Sequence, residues 1–324
     1  MNESPILSIC IPTWNRCNFL KCSLERLLSQ IKEIQPADLE IIVSDNASED
    51  ETALVVKDFI ERGLPISYNR NMENLGADGN FLKCMQIAKG KYIFLVGDDD
   101  YFRPGALHYI VETIKKGDYG LVHLHEFGKF NNSECIVYDD VNLFLNQVSI
   151  WITFMSGNIF LREAYDKIDN PQMYMKTNLL QMPFYIQAAF MRKENIIINK
   201  TLFDYSLDGD SNGGYNFYQV FLDNYLTIWD SFVKKNYLPH RYFEKLKKKL
   251  LFGMLLEPNW YLLCLKRNVS TNNSTQEFRR GFKTEGAWKM LFHYYGKNLY
   301  FYFSLLIMPF VATYRRLATK ILSK

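Results

Sequence analysis

The stretch Lys91-Tyr-Ile-Phe-Leu-Val-Gly-Asp-Asp-Asp100 runs an apolar segment straight into three consecutive carboxylates. Tyr92 to Val96 show no polar alternation, so the segment suits a strand covered on both faces, as in a parallel sheet. Gly97 frees the backbone just before Asp98, Asp99 and Asp100. Three neighbouring anions are costly to hold together unless water or a cation screens them. The triplet therefore reads either as a solvated acidic turn or as a cation site at a sheet edge, and the flanking sequence decides between them.

Upstream, Leu7-Ser-Ile-Cys-Ile11 reads as a first buried strand and Pro12-Thr-Trp-Asn-Arg16 as the loop at its carboxyl end. A helix from about Asn18 gathers Leu20, Leu24, Leu27, Leu28 and Ile31 on one face. Leu39 to Ser44 is the next strand, ending at Asp45-Asn-Ala-Ser48. Ser48 and Glu51 have capping-box spacing ahead of a helix through Val55, Val56, Phe59 and Ile60 that stops at Gly63. Ile66 to Tyr68 is a short third strand and Asn71 to Gly76 a polar loop. A helix from about Asp78 carries Phe81, Leu82, Met85 and Ile87 to Gly90. Downstream of the triplet, Pro104 marks the first position of a helix through Leu107, Ile110, Val111 and Ile114, and Tyr119 to His125 is a further strand.

Strands and helices alternating at this length imply an α/β fold with a mostly parallel sheet, in which ligands lie beyond the carboxyl ends of the strands. Three polar clusters fall there: Thr13 to Arg16, Asp45-Asn46, and Asp98 to Asp100. Neither GxGxxG nor GxxxxGK[ST] follows the first strand, which argues against a dinucleotide oxidoreductase and a P-loop phosphotransferase. Carboxylates gripping Mg2+ or Mn2+ are another way to hold a diphosphate, because these hard cations favour oxygen ligands and bridge phosphates.

Composition adds further bounds. The 324 residues are 48% hydrophobic, ample for a globular core. Cys10, Cys17, Cys22, Cys84, Cys135 and Cys264 form no CxxC pair, which favours reduced thiols in a cytosolic setting, read as buried small hydrophobes. The first residues, MNESPILSICIPTW, lack the basic start and continuous apolar core of a signal peptide, so export is not expected. The net charge of +3 hides an asymmetry: Ser231 to Lys324 carries 18 Lys and Arg against 4 Glu and no Asp. So basic a tail favours an anionic surface. Nucleic acid is not the expected partner, since no helix-turn-helix, zinc-finger or RNP signature accompanies the charge.

Pro12-Thr-Trp-Asn-Arg16, Ser44-Asp-Asn-Ala-Ser-Glu-Asp50, Asn74-Leu-Gly-Ala-Asp-Gly-Asn80 and Gly97-Asp-Asp-Asp100 occur in that order. With them, residues 5 to 125 resemble glycosyltransferase family 2 of the GT-A fold, and the chain is similar to bacterial O-antigen sugar transferases, abequosyltransferases among them. The resemblance implies a Rossmann-like, mostly parallel GT-A sheet flanked by helices over residues 1–214, followed by a helical, basic region over 215–324. It implies metal-dependent transfer of a sugar from a nucleoside-diphosphate donor to a lipid-diphosphate-linked glycan in surface-polysaccharide synthesis, with Mn2+ or Mg2+ as cofactor. Pro12 and Thr13 would open the nucleotide pocket, with Arg16 near the base or phosphates, Asp45 on the base and Asn80 facing the ribose and diphosphate. Asp98 and Asp100 look like the DxD pair of metal-site carboxylates, Asp98 nearer the ribose and Asp100 on the metal, with Asp99 beside them on the donor. A deoxy- or dideoxyhexose is one candidate donor sugar.

The second half departs from the family pattern. An inverting member needs a carboxylate base for the acceptor hydroxyl, often in a Glu-Asp pair leading into a helix. Here Thr177 to Tyr185 offers Gln181-Met182 and no acid. Either Asp208 or Asp210 serves from a loop, or the reaction retains configuration and needs no such base. The missing pair also suggests the competing class, a non-catalytic nucleotide-sugar-binding or scaffold protein. Ser156-Gly157-Asn158 lies where related enzymes line the acceptor pocket, or else is a turn opening a strand. His123 and His125 alternate on one strand face and read as satisfied sheet histidines rather than metal ligands.

Asn298 to Tyr314 is uncharged, aromatic and followed by Arg315, Arg316, Lys320 and Lys324. It falls short of the ~20 apolar residues a span needs and contains Pro309, so it reads as an interfacial anchor on the cytoplasmic face of an anionic membrane. A homodimer interface is the rival reading of this tail.

Overall fold

The structure is a computed structural model that describes residues 4–125, 133–205, 215–256, 258–259 and 283–308. The chain divides into two compact units, Met1–Gly209 and Asp210–Lys324.

The first unit opens with β1 (Leu7–Thr13), α1 (Cys17–Gln30), β2 (Leu39–Asp45), α2 (Thr52–Glu61), β3 (Ile66–Arg70), α3 (Gly76–Ile87) and β4 (Tyr92–Leu95). β5 (Asp100–Phe102), α4 (Ala106–Lys115), β6 (Tyr119–Leu124), β7 (Cys135–Tyr138), α5 (Val141–Val148) and β8 (Asn158–Leu161) follow. α6 (Glu163–Asp166), α7 (Met182–Ala189), β9 (Glu194–Ile198) and β10 (Phe203–Tyr205) complete it. Eight strands form one sheet in the order β3-β2-β1-β4-β8-β6-β9-β7. β1 pairs in parallel with β2 and β4, β2 with β3, and β6 with β9. β8 runs antiparallel between β4 and β6, and β7 antiparallel along β9. The result is a mixed α/β architecture, a large central sheet flanked by helices.

The apolar runs behave as their lack of alternation requires. In β1 the side chains of Leu7, Ile9, Cys10 and Ile11 are wholly buried, and so are those of Tyr92 to Val96. Each fully buried large apolar side chain contributes about 1.5–3 kcal/mol relative to exposure. α1 turns Leu20, Leu24 and Leu27 inward, and its last residue, Gln30, serves a second helix: Gln30 Oε1 accepts the Leu107 N–H of α4 at 3.2 Å. That bond satisfies one of the donors that a helix start leaves open.

Three local expectations shift. Ser48 does not cap α2; Asp50 does that work, its Oδ1 accepting the Thr52 N–H at 3.1 Å. Ser48 is drawn off to the first loop, where its hydroxyl accepts the Asn15 N–H at 2.9 Å. Pro104 sits two residues ahead of α4, whose cap is Gly105 at φ +76, a left-handed conformation that glycine adopts without strain. Among the cysteines, Cys10 and Cys84 are buried but Cys22 and Cys135 are exposed, so these two do not act as core hydrophobes. All five described cysteines are free thiols.

A second, two-stranded sheet pairs β5 with β10 antiparallel, Asp100 opposite Tyr205. Phe102 of β5 and Phe203 of β10 fasten it to the main sheet through Phe94 of β4, with ring centroids 6.1 and 6.0 Å away at steep angles. Such edge-on pairs each contribute about 0.5–1.5 kcal/mol beyond area burial. Their consequence is positional: Asp100 begins a strand whose next-but-one residue is locked into the core.

The second unit contains α8 (Tyr225–Lys234), α9 (His240–Leu250), α10 (Ala287–Tyr295) and α11 (299–308). Its core includes Trp229, Tyr225, Leu246, Leu291 and Tyr295. Tyr295 OH donates to Lys247 O at 2.9 Å, tying α10 to α9.

Candidate active site

The strand order reverses beside β1. The chain steps from β1 outward to β2 and β3, then crosses back to place β4 on the other side of β1. At such a switch point the loops leaving adjacent strands diverge and open a crevice at the carboxyl edge. Thr13 ends β1, Asp45 ends β2 in register with it, and Gly97 to Asp100 leave β4. β6 is parallel to β4 through the antiparallel β8, so its end and the start of β8 at Asn158 reach the same edge.

Thr13 and Arg16 meet the acidic triplet directly. Thr13 Oγ1 donates to Asp98 Oδ2 at 2.7 Å, and Arg16 Nε donates to Asp98 Oδ1 at 2.8 Å. Arg16 Nη2 reaches Asp99 Oδ2 at 2.5 Å, and its guanidinium lies 4.3 Å over the Phe19 ring. Arg16 thus bridges two of the three carboxylates. Asp100 is different: its Oδ2 accepts from Ser156 Oγ at 2.5 Å, and among the described residues no basic side chain pairs with it. Ser156 Oγ also accepts the Gly97 N–H at 2.9 Å, which closes a small loop around the turn. A Cβ on Gly97 would stand 2.8 Å from Asp100 Oδ2, so a side chain there would push the Asp100 carboxylate out of this position. Burial pushes the carboxyls of Asp98 and Asp100 up to about 6, against the opposing pull of Arg16 and Thr13 on the first and of Ser156 on the second.

On the side expected to take the nucleotide, Asp45 is fully buried and held at both oxygens. Oδ1 accepts the Ser48 N–H at 2.8 Å and Oδ2 the Tyr68 hydroxyl at 2.6 Å, with Arg70 Nε 3.5 Å away. The Tyr68 phenol is pushed well up by desolvation and by this carboxylate. Asn80 is likewise turned inward: Oδ1 accepts from Ser44 Oγ at 2.7 Å and Asn71 Nδ2 at 3.0 Å, while Nδ2 donates to Ser44 O at 2.9 Å. Asn46 joins the set, donating to Asn74 Oδ1 at 2.7 Å and accepting from Asn71 Nδ2 at 3.0 Å and Leu75 N at 2.9 Å. This asparagine lattice fixes the 71–76 loop onto the end of β2. Pro12, half-buried, precedes Thr13 in β1.

On the expected acceptor side, Ser156, Gly157 and Asn158 are all buried. Asn158 Oδ1 lies 3.0 Å from His123 Nδ1, and Asn158 Nδ2 donates to Phe154 O at 2.7 Å. Burial holds the His123 imidazole down at about 4, so it is neutral near pH 7. The rings of His123 and His125 lie 5.8 Å apart on one face of β6. Gln181, at the start of α7, donates to Thr153 O at 2.9 Å. Asp208 and Asp210 lie outside the described residues.

One carboxylate escaped the sequence reading. Asp78 of α3 is buried, and the backbone of the 176–180 loop ahead of α7 turns N–H groups toward it, Asn178 N donating to Oδ2 at 3.2 Å. Lys176 and Asn178 adopt φ of 65 and 55, the alternation that makes a concave anion-binding backbone. Burial raises the Asp78 carboxyl. No local signal in the sequence links positions a hundred residues apart.

Could these residues hold a divalent cation? No group of three or more His, Cys, Asp or Glu side chains is gathered as a cage among the described residues. Mg2+ and Mn2+ on a diphosphate need none, because one or two carboxylates, water and phosphate oxygens complete the shell. A partly desolvated carboxylate without a counter-cation fits that role, and Asp100 is one. Asp98, committed to Thr13 and Arg16, fits an outer position.

The family model described as glycosyl transferase family 2 matches residues 8–169. Among curated proteins, the abequosyltransferase RfbV of Salmonella typhimurium is 29% identical over 75% of this chain and 80% of its own length. The GalNAc(5)-diNAcBac-PP-undecaprenol beta-1,3-glucosyltransferase of Campylobacter jejuni is 32% identical over 43% of this chain, but only 41% of that enzyme is covered. Of solved structures, S. aureus TarS 1-349 in complex with UDP-GlcNAc superposes with a TM-score of 0.60 at 14% identity, covering 76% of this chain and 73% of that one. The mannosyltransferase PcManGT of Pyrobaculum calidifontis, in complex with GDP-Man and Mn2+, gives a TM-score of 0.54 at 14% identity, covering 97% and 88%. At such identities these two likenesses speak to the fold alone.

Proposed function

Since the chain belongs to glycosyl transferase family 2, we propose that it moves a sugar from a nucleoside-diphosphate donor onto a lipid-diphosphate-linked glycan in O-antigen or related surface-polysaccharide assembly. Family membership makes it a glycosyltransferase of GT-A type. The donor, the metal and the acceptor are our reading. The observation that carries it is the pairing of Arg16 with Asp98 and Asp99 beside an uncompensated Asp100, at the switch point of the sheet.

When bound at Asp100, Mn2+ or Mg2+ supplies Lewis-acid stabilisation of the charge that develops on the leaving diphosphate. This chain's residues then divide the remaining tasks. Asp98, positioned by the Thr13 hydroxyl, faces the donor ribose. Arg16 releases the carboxylates to take phosphate charge, a bidentate task suited to guanidinium. Asp45, held by Ser48, Tyr68 and Arg70, addresses the base from the end of β2, and Asn80 holds the wall behind it. Ser156 fixes the orientation of Asp100. The acceptor proton falls to Asp208 or Asp210, or to no carboxylate at all in a retaining reaction. The Salmonella relative, by name an abequosyltransferase, favours a deoxy- or dideoxyhexose donor.

The test is release of UDP, CDP, GDP or dTDP on adding lipid-diphosphate-linked glycan, with and without Mn2+. One nucleotide should be released in a metal-dependent way, and Asp100→Asn should lower kcat/KM by about 100-fold or more. Binding of a nucleotide sugar without any release in the presence of acceptor overturns catalysis in favour of a scaffold protein. NMR of the same product decides the stereochemistry: a β-product from an α-donor excludes retention.

A further inference from the structure

α11 reads Leu-Tyr-Phe-Tyr-Phe-Ser-Leu-Leu-Ile-Met over 299–308, and its burial runs against its polarity. Phe301, Ser304 and Met308 form the buried face. Ser304, the one small polar side chain of the helix, points inward, and its hydroxyl donates to Phe301 O at 2.6 Å. The outer face carries Leu299, Tyr302, Phe303 and Leu306, which are 85%, 44%, 56% and 71% exposed. A helix washed by water puts charge on its outer side; one that is apolar all round is covered by something. Phe292 of α10, 50% exposed and edge-on to Phe301 at 5.6 Å, extends the same surface.

We propose that this face of α11, with Phe292, lies in the plane of an anionic lipid bilayer surface. Charge chooses the occupant. From Lys283 to the end of the chain there are seven Lys and Arg against one acid, Glu285, and exposed Lys289, His293 and Lys297 flank the apolar face. A second copy would set like charge against like; anionic headgroups supply the opposite sign. One-sided burial chooses the orientation. Along residues 299–308 Phe301, Ser304 and Met308 are covered while Leu299, Phe303 and Leu306 are open, so the helix offers a bilayer one face and not its whole circumference; among the described residues no helix is long and apolar enough to cross a membrane. An apolar face with basic flanks settles at the headgroup boundary.

This inference deepens the lipid-linked part of the proposed function, yet its test needs neither donor nor acceptor. The full chain is sedimented with vesicles of phosphatidylglycerol and phosphatidylethanolamine, and with phosphatidylcholine vesicles for comparison. Binding to the anionic vesicles should exceed binding to the neutral ones, and Phe303→Glu/Leu306→Glu should weaken it by at least about tenfold. A second variant, Leu299→Ser/Phe303→Ser, removes apolar area without adding charge and should weaken it in the same direction. Circular dichroism and the melting temperature, unchanged in both variants, separate loss of docking from loss of fold. Wild-type binding retained by both variants overturns the proposal. So does a chain that ignores vesicles and is a dimer by light scattering, with both variants monomeric, because the face would then belong to a second copy.

Discussion

Asp100 is a desolvated carboxylate that no basic side chain among the described residues pairs with. Its carboxyl sits at about 6 in the fold against 3.8 in an unfolded chain, because burial outweighs the Ser156 hydrogen bond. For an acid with a raised folded value, the native state binds more protons between those two limits. Its stabilising contribution is therefore present below about pH 4 and is lost as pH rises through 6. Asp100→Asn should accordingly raise the melting temperature of the ligand-free protein at pH 7.5 by about 2–5 °C, with the gain shrinking toward pH 4.5. Differential scanning fluorimetry across pH reads this, and an Asn variant that melts lower at pH 7.5 refutes it. The triplet itself was legible in the sequence, because three acids after an apolar run are conspicuous. Its partners were legible only in part. Thr13 and Arg16 stand at a strand end, where polar residues announce themselves, whereas Ser156 is 56 positions from Asp100 and a lone serine carries no mark of its target.

At the scale of elements, the end of β2 is joined to the loop ahead of α3 by side-chain amides. Asn46 makes four of its contacts there: two donated by Nδ2, to Asn74 Oδ1 and Gly76 O, and two accepted at Oδ1, from Asn71 Nδ2 and Leu75 N. Asn46→Ala strands the buried Asn71 amide, and such a group costs about 1–3 kcal/mol, whereas Asn74, Leu75 and Gly76 are exposed and can turn to water. Urea denaturation should show a loss of about 1–2 kcal/mol, and nucleotide affinity should fall with it, since Asn71 also holds Asn80. The sequence marked 71–76 only as a polar loop: turn composition shows where a chain bends, not which side chains will close the bend. The same limit explains α4, where Pro104 pointed to a helix start and Gly105, through its left-handed backbone, makes it. The order of strands and helices was plain from periodicity. That β8 inserts antiparallel between β4 and β6 was not, because a four-residue strand has no direction written in it.

At the scale of the molecule, the two compact units carry opposite charge, the first holding 20 Lys and Arg against 28 acids and the second 18 against 7. Units with separate cores need not unfold together. Calorimetry should resolve two transitions, and a nucleoside diphosphate with Mn2+ should raise only the one belonging to the first unit, by mass action. A single transition that moves as a whole would show that the units melt as one. The α/β character and the basic helical tail were both visible in the sequence, since each is a property of long averages.

Arg16 already lies across Asp98 and Asp99 in the protein without ligand. The crevice therefore carries its own counter-ion, and in the proposed reaction a donor would meet an acidic cluster that is partly balanced beforehand. Donor binding would then be an exchange of partners, the Arg16 guanidinium moving from carboxylate to phosphate. The local charge would change little through such a cycle, so the strands around it would experience nearly the same field before the donor comes and after the diphosphate goes.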